Sequence, residues 1–255
     1  MCRHVGYLGP PATLDELLLR PEHSLLEQTY APTDMRGGGT MNADGFGVGW
    51  YPPATGTPSR YRNEAPMWTD VSFPAMARHT SSAAVVGAVR SATVGMPVVS
   101  TACAPFTDGR WLFSHNGVVR GWPDSLAKLA AQLEVTDLMT LDAPSDSAVL
   151  WALLRQRLGT GGDPVQAVCS LLRDVLAASP AARMNLLLTD GSTMVATSWS
   201  HALSVNHRAG SVTLASEPFG DTADWEPVPD GYLVVADPER VEVSPLDTEH
   251  PTGGN

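Results

Sequence analysis

Apolar residues fill positions 83–89 with almost no interruption and return in short runs at 184–188, 194–198, 212–215 and 233–236. Runs of about four to eight residues, rich in Val, Leu and Ile and bounded by turn residues, predict buried strands rather than helices. Further strands are predicted at 4–8, 46–51, 83–90, 110–115 and 202–206. The pattern changes to helical spacing in the middle of the chain, at 123–133, 146–158 and 163–178. Ser145 is the expected N-cap of the second of these, and Pro164 suits the first helical position of the third. A short helix through Leu19 is announced by the capping box Thr13-Leu-Asp-Glu16. Segments 20–43, with Gly37-Gly-Gly39, and 52–66 read as loops, and the polar tail 245–255 reads as loose. Strands on both sides of a central helical block predict two sheets with helices outside them, in one layered domain spanning 1–255 with no dividing linker.

Composition narrows the class. With 255 residues, 43% of them hydrophobic, the chain has ample material for a buried core, and mean hydropathy is -0.05. A net charge of -11 argues against nucleic acid or an anionic membrane surface as partner. No basic segment followed by an apolar run marks a signal peptide, and no stretch approaches the length of a membrane helix. The three cysteines Cys2, Cys103 and Cys169 are odd in number and widely spaced, which fits a reducing cytosol better than a disulfide framework. His4, His115, His201 and His207 have no metal-ligand spacing, so neither a metal nor a cofactor is expected.

Cys2 directly follows the initiator methionine. Because Cys is small, removal of Met1 is expected, leaving a thiol and a free α-amine on one residue. An α-amine has a reference pKa of about 7.7–8.0, so part of it is neutral near pH 7 and can act as base for its own thiol. Thiol attack on an amide needs donors for the oxyanion, and His115-Asn116-Gly117 offers the Asn116 side chain and the Gly117 N–H. By itself, Asn-Gly after a strand reads better as a hairpin turn than as an oxyanion site. Arg90 ends a very apolar run and requires an anionic partner, either a substrate carboxylate or an internal acid. Asp146 either binds a substrate ammonium or caps its helix. Cys103 and Cys169 read as buried filler, and Trp50, Trp68 and Trp111 as packing residues, with walls of a pocket for an aromatic or cationic leaving group as the alternative.

In order along the chain stand Cys2 with Gly6, Asn42-Ala-Asp-Gly-Phe-Gly47, Arg90-Ser-Ala-Thr-Val-Gly95, Pro105-Phe106, His115-Asn-Gly117, Ser145-Asp-Ser147 and Ala215-Ser-Glu-Pro-Phe219. This ordered set, covering nearly the whole chain, resembles the class II glutamine amidotransferases, which are N-terminal nucleophile hydrolases. The resemblance implies an α+β fold, a four-layer αββα sandwich with two mainly antiparallel sheets between helical layers. It implies Cys2 as nucleophile with its own amine as base, and Asn116 and Gly117 as oxyanion hole. Arg90 would clamp the α-carboxylate of a glutamyl group, Asp146 would hold its α-ammonium, and His115 belongs with the substrate-binding residues. The larger members place a His-Thr pair before the arginine, where this chain has Ala88-Val89, and carry a second domain that consumes ammonia. The expected activity is therefore that of the stand-alone members, hydrolysis of a small-molecule γ-glutamyl amide with a large amine as leaving group. A glutaminase subunit feeding a separate synthase, or a silent regulatory subunit, are the alternatives; the oligomeric state is not legible.

Overall fold

The computed structural model describes residues 2–35, 41–53, 55–159 and 161–247; Gly37–Gly39 and the end of the tail, 248–255, lie outside them. Strand β1 (Arg3–Thr13) leads into helix α1 (Leu14–Leu18), and β2 (Phe46–Trp50) pairs with β3 (Ser59–Asn63) as a hairpin. Helix α2 (Phe73–His79) and β4 (Ser81–Val89) follow, then β5 (Phe106–Asp108) and β6 (Trp111–Val118). The helical block holds α3 (Ala127–Ala130), α4 (Val135–Met139), α5 (Asp146–Leu158) and α6 (Pro164–Ala178). Strands β7 (Arg183–Thr189), β8 (Met194–Ser198), β9 (Ser204–Arg208), β10 (Ser211–Ala215), β11 (Glu226–Pro227), β12 (Tyr232–Ala236) and β13 (Val241–Pro245) complete the order.

Two antiparallel sheets result, one ordered β11-β9-β10-β1-β4-β2-β3 and the other β13-β12-β8-β7-β6-β5. Side chains alternate across a strand, so each sheet presents two faces, and here both are buried. In β4, Ala84 and Val86 join Leu112, Leu187 and Met194 of the other sheet in the core between the two. Val85 and Val89 point the opposite way, against Leu14, Leu18, Phe73 and Ala77 of α1 and α2. In β7 the same alternation sends Leu187 inward and Met184, Leu186 and Leu188 onto Leu150, Leu154, Leu171 and Val175 of α5 and α6. The layers run helix, sheet, sheet, helix, as the resemblance implied, and burial on both faces explains why these strands lack polar alternation. The sheets pack closely at Gly6, where an added Cβ would stand 2.7 Å from Met194 Sδ and 2.9 Å from Leu187.

Local signals were followed where they were strong. Thr13 and Glu16 form both halves of the capping box, Ser145 accepts from Ala148 N, and Asp163 caps α6 with Pro164 behind it. Three expectations are corrected. The expected loop 52–66 contains β3, a polar edge strand held by its pairing to β2. The expected helix 123–133 is a tightened turn plus the four residues of α3, yet Leu126, Leu129 and Leu133 still reach the core. The strand expected to stop at 115 runs on to Val118, so Asn116-Gly117 lies inside a ladder and forms no hairpin turn.

Candidate active site

Strand pairing brings the scattered motifs to one end of the sandwich. Arg3 and Phe46 both pair with Val89, which sets Cys2, the start of β2 and Arg90 side by side. Backbone bonds Arg90 N to Gly45 O (2.8 Å) and Asp44 N to Arg90 O (3.0 Å) join the Asn42–Gly47 motif to the arginine, and Ala92 N donates to the Asp44 carboxylate. Gly45 adopts φ +106°, and a Cβ there would fall 2.5 Å from Cys103 Sγ, so glycine is required for the close approach. The Cys2 thiol is half-buried and lies 3.7 Å from the Ser91 carbonyl oxygen. Arg90 is half-buried, donates Nη1 to Pro97 O at 2.8 Å, and forms no ion pair among the described residues. No acid among the described residues is ion-paired with Arg90 in the way the internal-acid reading requires.

The second sheet supplies the other motifs. Leu112 faces the core between the sheets and Phe113 the helices, so by alternation Asn116 points between the sheets and His115 toward α5. His115 Nε2 donates to Arg183 O at 3.0 Å, which leaves Nδ1 as the acceptor for the Ser147 hydroxyl at 2.9 Å. Asp146 is buried and accepts from Val119 N (2.9 Å) and Ser147 N (2.7 Å), while Ser145 does the capping. It has no ion-pair partner among the described residues. Asn116 is 1% exposed, its side chain donates to Ser216 Oγ at 2.8 Å, and its Oδ1 has no partner among the described residues.

A small open pocket is lined by Cys2, Arg3, Arg90, Cys103, Ser114, His115 and Ser147, with Phe46 and Phe106 as its aromatic walls. Cys2, Arg90 and His115 thus meet in one space, and Asn116, Gly117 and Asp146 are not among its lining residues. None of Trp50, Trp68 and Trp111 reaches it: Trp50 packs on the α1–α2 side, Trp68 meets Tyr30, and Arg110 covers Trp111. Cys103 is fully buried, and burial pushes its thiol up to about 11, so it stays protonated beside Cys2. Among the described residues no group of three or more His, Cys, Asp or Glu is placed to hold a metal ion.

Several contacts around the site carried no signal in the sequence. Arg3 is 2% exposed, donates Nη1 to Cys2 O at 2.9 Å, and is ion-paired with Glu217. Burial opposes ionisation of Glu217, but the Thr33 N–H, the Arg3 charge and the His23 bond outweigh it and hold the carboxyl below its usual range. His4 is pushed down to about 3 by burial and then by His115, His201 and Arg3, so it is neutral; its Nδ1 lies 3.2 Å from Ser114 Oγ across the two sheets. The Arg3–Glu217 and His4–Ser114 partners lie more than a hundred residues apart, and spacing along the chain could not reveal them.

Comparison with known proteins gives a consistent result. Residues 28–210 match the model of the glutamine amidotransferases class-II. The γ-glutamyl-hercynylcysteine sulfoxide hydrolase of Mycolicibacterium smegmatis is 42% identical over 247 residues, covering 96% of this chain and all of that protein. Its namesake from Mycobacterium tuberculosis is also 42% identical, over 97% of both chains. A class II glutamine aminotransferase domain protein of Silicibacter pomeroyi superposes with a TM-score of 0.68 at 25% identity, over 96% of this chain and 100% of that one. Glutamine phosphoribosylpyrophosphate amidotransferase of B. subtilis shares the fold alone, with a TM-score of 0.63 at 14% identity over 97% of this chain and 50% of that one.

Proposed function

The chain belongs to the class II glutamine amidotransferases, and from that premise we propose that it hydrolyses γ-glutamyl-hercynylcysteine sulfoxide to glutamate and hercynylcysteine sulfoxide, a step of ergothioneine biosynthesis. The observation that carries this reading is 42% identity to a hydrolase of that name, over essentially the full length of both chains. The enzyme class is an N-terminal cysteine amidohydrolase, and the half-buried thiol beside a guanidinium without an ion pair among the described residues fits it.

In the proposed mechanism the neutral α-amine of Cys2 takes the thiol proton, through a water, and the thiolate attacks the γ-carbonyl carbon. The Asn116 amide and the Gly117 N–H hold the resulting oxyanion, where donors act in a water-poor site. The C–N bond breaks as the leaving amine takes the proton, leaving a γ-glutamyl thioester on Cys2. Water then adds to the thioester and releases glutamate and free thiol. Arg90 fixes the α-carboxylate by a two-pronged contact, and Asp146 and His115 serve the ammonium side. The three free thiols fit a reducing cytosol, where we place the enzyme. No helix among the described residues is long and apolar enough to cross a membrane.

Both ends of the glutamyl group are common to all γ-glutamyl compounds, so discrimination falls to the leaving-group side. The test is glutamate release from γ-glutamyl-hercynylcysteine sulfoxide, glutamine and glutathione at equal concentration. Fast release from the first and little from the others is expected, because a site that leaves polar groups unpaired rejects the shorter analogue by orders of magnitude. Glutamine as best substrate would instead identify a glutaminase serving a synthase. No release from any compound, with no adduct on Cys2 from an electrophilic glutamine analogue, would identify a silent subunit.

A further inference from the structure

One hydroxyl joins β1, the strand that directly follows Cys2, to the Asn116 amide. Ser216 follows β10 and is 3% exposed. Its N–H donates to His4 O at 3.0 Å and its Oγ accepts from His4 N at 3.0 Å, extending the grip of β10 on β1 to two residues from Cys2. The same Oγ accepts from Asn116 Nδ2, at 2.8 Å, across the gap between the sheets. Both lone pairs of a serine oxygen are thereby used.

The Asn116 side chain depends on this contact. Its Oδ1 is buried with no partner, and the bond to Ser216 is the one side-chain hydrogen bond it makes among the described residues. Rotation of an asparagine amide about its last torsion is broad and nearly two-fold, so without an anchor the donor direction is undefined. With Nδ2 tied to Ser216, the second N–H of the planar amide has a fixed direction. We propose that Ser216 is a positioning residue for the reaction: it aims the Asn116 N–H and holds it in register with the Cys2 strand. This rests on the reading of Asn116 as an oxyanion donor. Preorganised donors lose most of their value when misdirected, and a displacement of about 1 Å costs on the order of a hundredfold.

The role differs measurably from that of a stitch between sheets. A stitch affects stability and leaves the chemistry of folded enzyme alone, whereas an aiming contact lowers kcat at unchanged KM and acts only through Asn116. Ser216→Ala, Asn116→Ala and the double variant are compared by glutamate release, with thermal unfolding measured on each. Ser216→Ala is expected to lower kcat by about ten- to a hundredfold with KM within about twofold, and to add less than about twofold to Asn116→Ala. Ser216→Thr and Ser216→Val have equal bulk and differ in the hydroxyl, so Thr is expected to turn over at least about tenfold faster than Val. A kcat loss that persists undiminished in the Asn116→Ala background, a loss confined to KM, or equal turnover by Thr and Val overturns the proposal. Wild-type kcat in Ser216→Ala beside a slow Asn116→Ala overturns the positioning role alone. Wild-type kcat in Asn116→Ala overturns the oxyanion reading and the positioning role together.

Discussion

Replacing Gly117 by alanine adds one methyl group where the structure has no room for it. Gly117 sits opposite Met184 in the β6–β7 ladder. A Cβ built there overlaps the Arg183 carbonyl oxygen outright and stands 2.5 Å from His115 Nε2. Those two atoms are themselves hydrogen-bonded, at 3.0 Å, so neither can yield without breaking the contact that orients His115. Gly117 does not have a positive φ, so the constraint is space and not backbone conformation. Non-bonded heavy atoms settle at about 3.5–4.0 Å, which means that the strands must part by roughly an ångström or more. Overpacking of this kind costs about 1–3 kcal/mol. For a domain of this size that is a drop of roughly 2–12 °C in Tm. The same shift moves the Gly117 N–H and the adjoining Asn116 by about the distance that reduces turnover a hundredfold. Thermal unfolding and kcat for glutamate release, measured on one preparation, check both arms. Wild-type Tm refutes the packing argument, and a lowered Tm with intact kcat removes the Gly117 N–H from the oxyanion hole.

Intact-mass spectrometry should find the active protein without Met1, and Cys2→Ala or a retained N-terminal tag should abolish turnover with the fold preserved; full activity with Met1 attached would end the role of the α-amine. Arg90→Ala and Asp146→Ala each leave one end of the glutamyl group unpaired, which costs on the order of 2–5 kcal/mol in kcat/KM. Arg90→Lys should fail to restore it, and wild-type kinetics in either alanine variant would show the glutamyl pocket to be misplaced. His4 and His201 are both held neutral, their pKa pushed down to about 3 mainly by burial. Below an unfolded value of 6.5 the unfolded chain therefore binds protons that the folded chain does not, and stability falls as pH drops from 6.5 toward 3. The slope reaches about 1.4 kcal/mol per pH unit for each histidine, and a denaturant midpoint unchanged between about pH 7 and pH 5 would contradict the burial of both.

Sequence alone determined those parts of the protein whose signals are local or additive along the chain. The apolar runs of β4, β7 and β8, short and bounded by turn residues, read as buried strands, and Ser145, Asp163 and the Thr13–Glu16 box mark helix starts by chemistry confined to a few residues. The order of the motifs, from Cys2 to Ala215–Phe219, was enough to place the chain in its family and to anticipate the four layers. What tertiary structure decided lies where a residue's state depends on a distant neighbour. Ser59–Asn63 has no strand-like alternation and is a strand because β2 offers it an edge. Asn116-Gly117 carries a local turn signal, yet it stays extended because β7 pairs with it as far as Arg183. The carboxylate of Asp146 is shared between Val119 N, just past the end of β6, and Ser147 N at the start of its own helix. Ser216 and Glu217 acquire their contacts with His4 and Arg3 only when β10 is laid beside β1, 212 to 214 residues away. Hydrogen bonds and ion pairs act over a few ångströms in space, and distance along a folded chain carries no information about which side chains come within that reach.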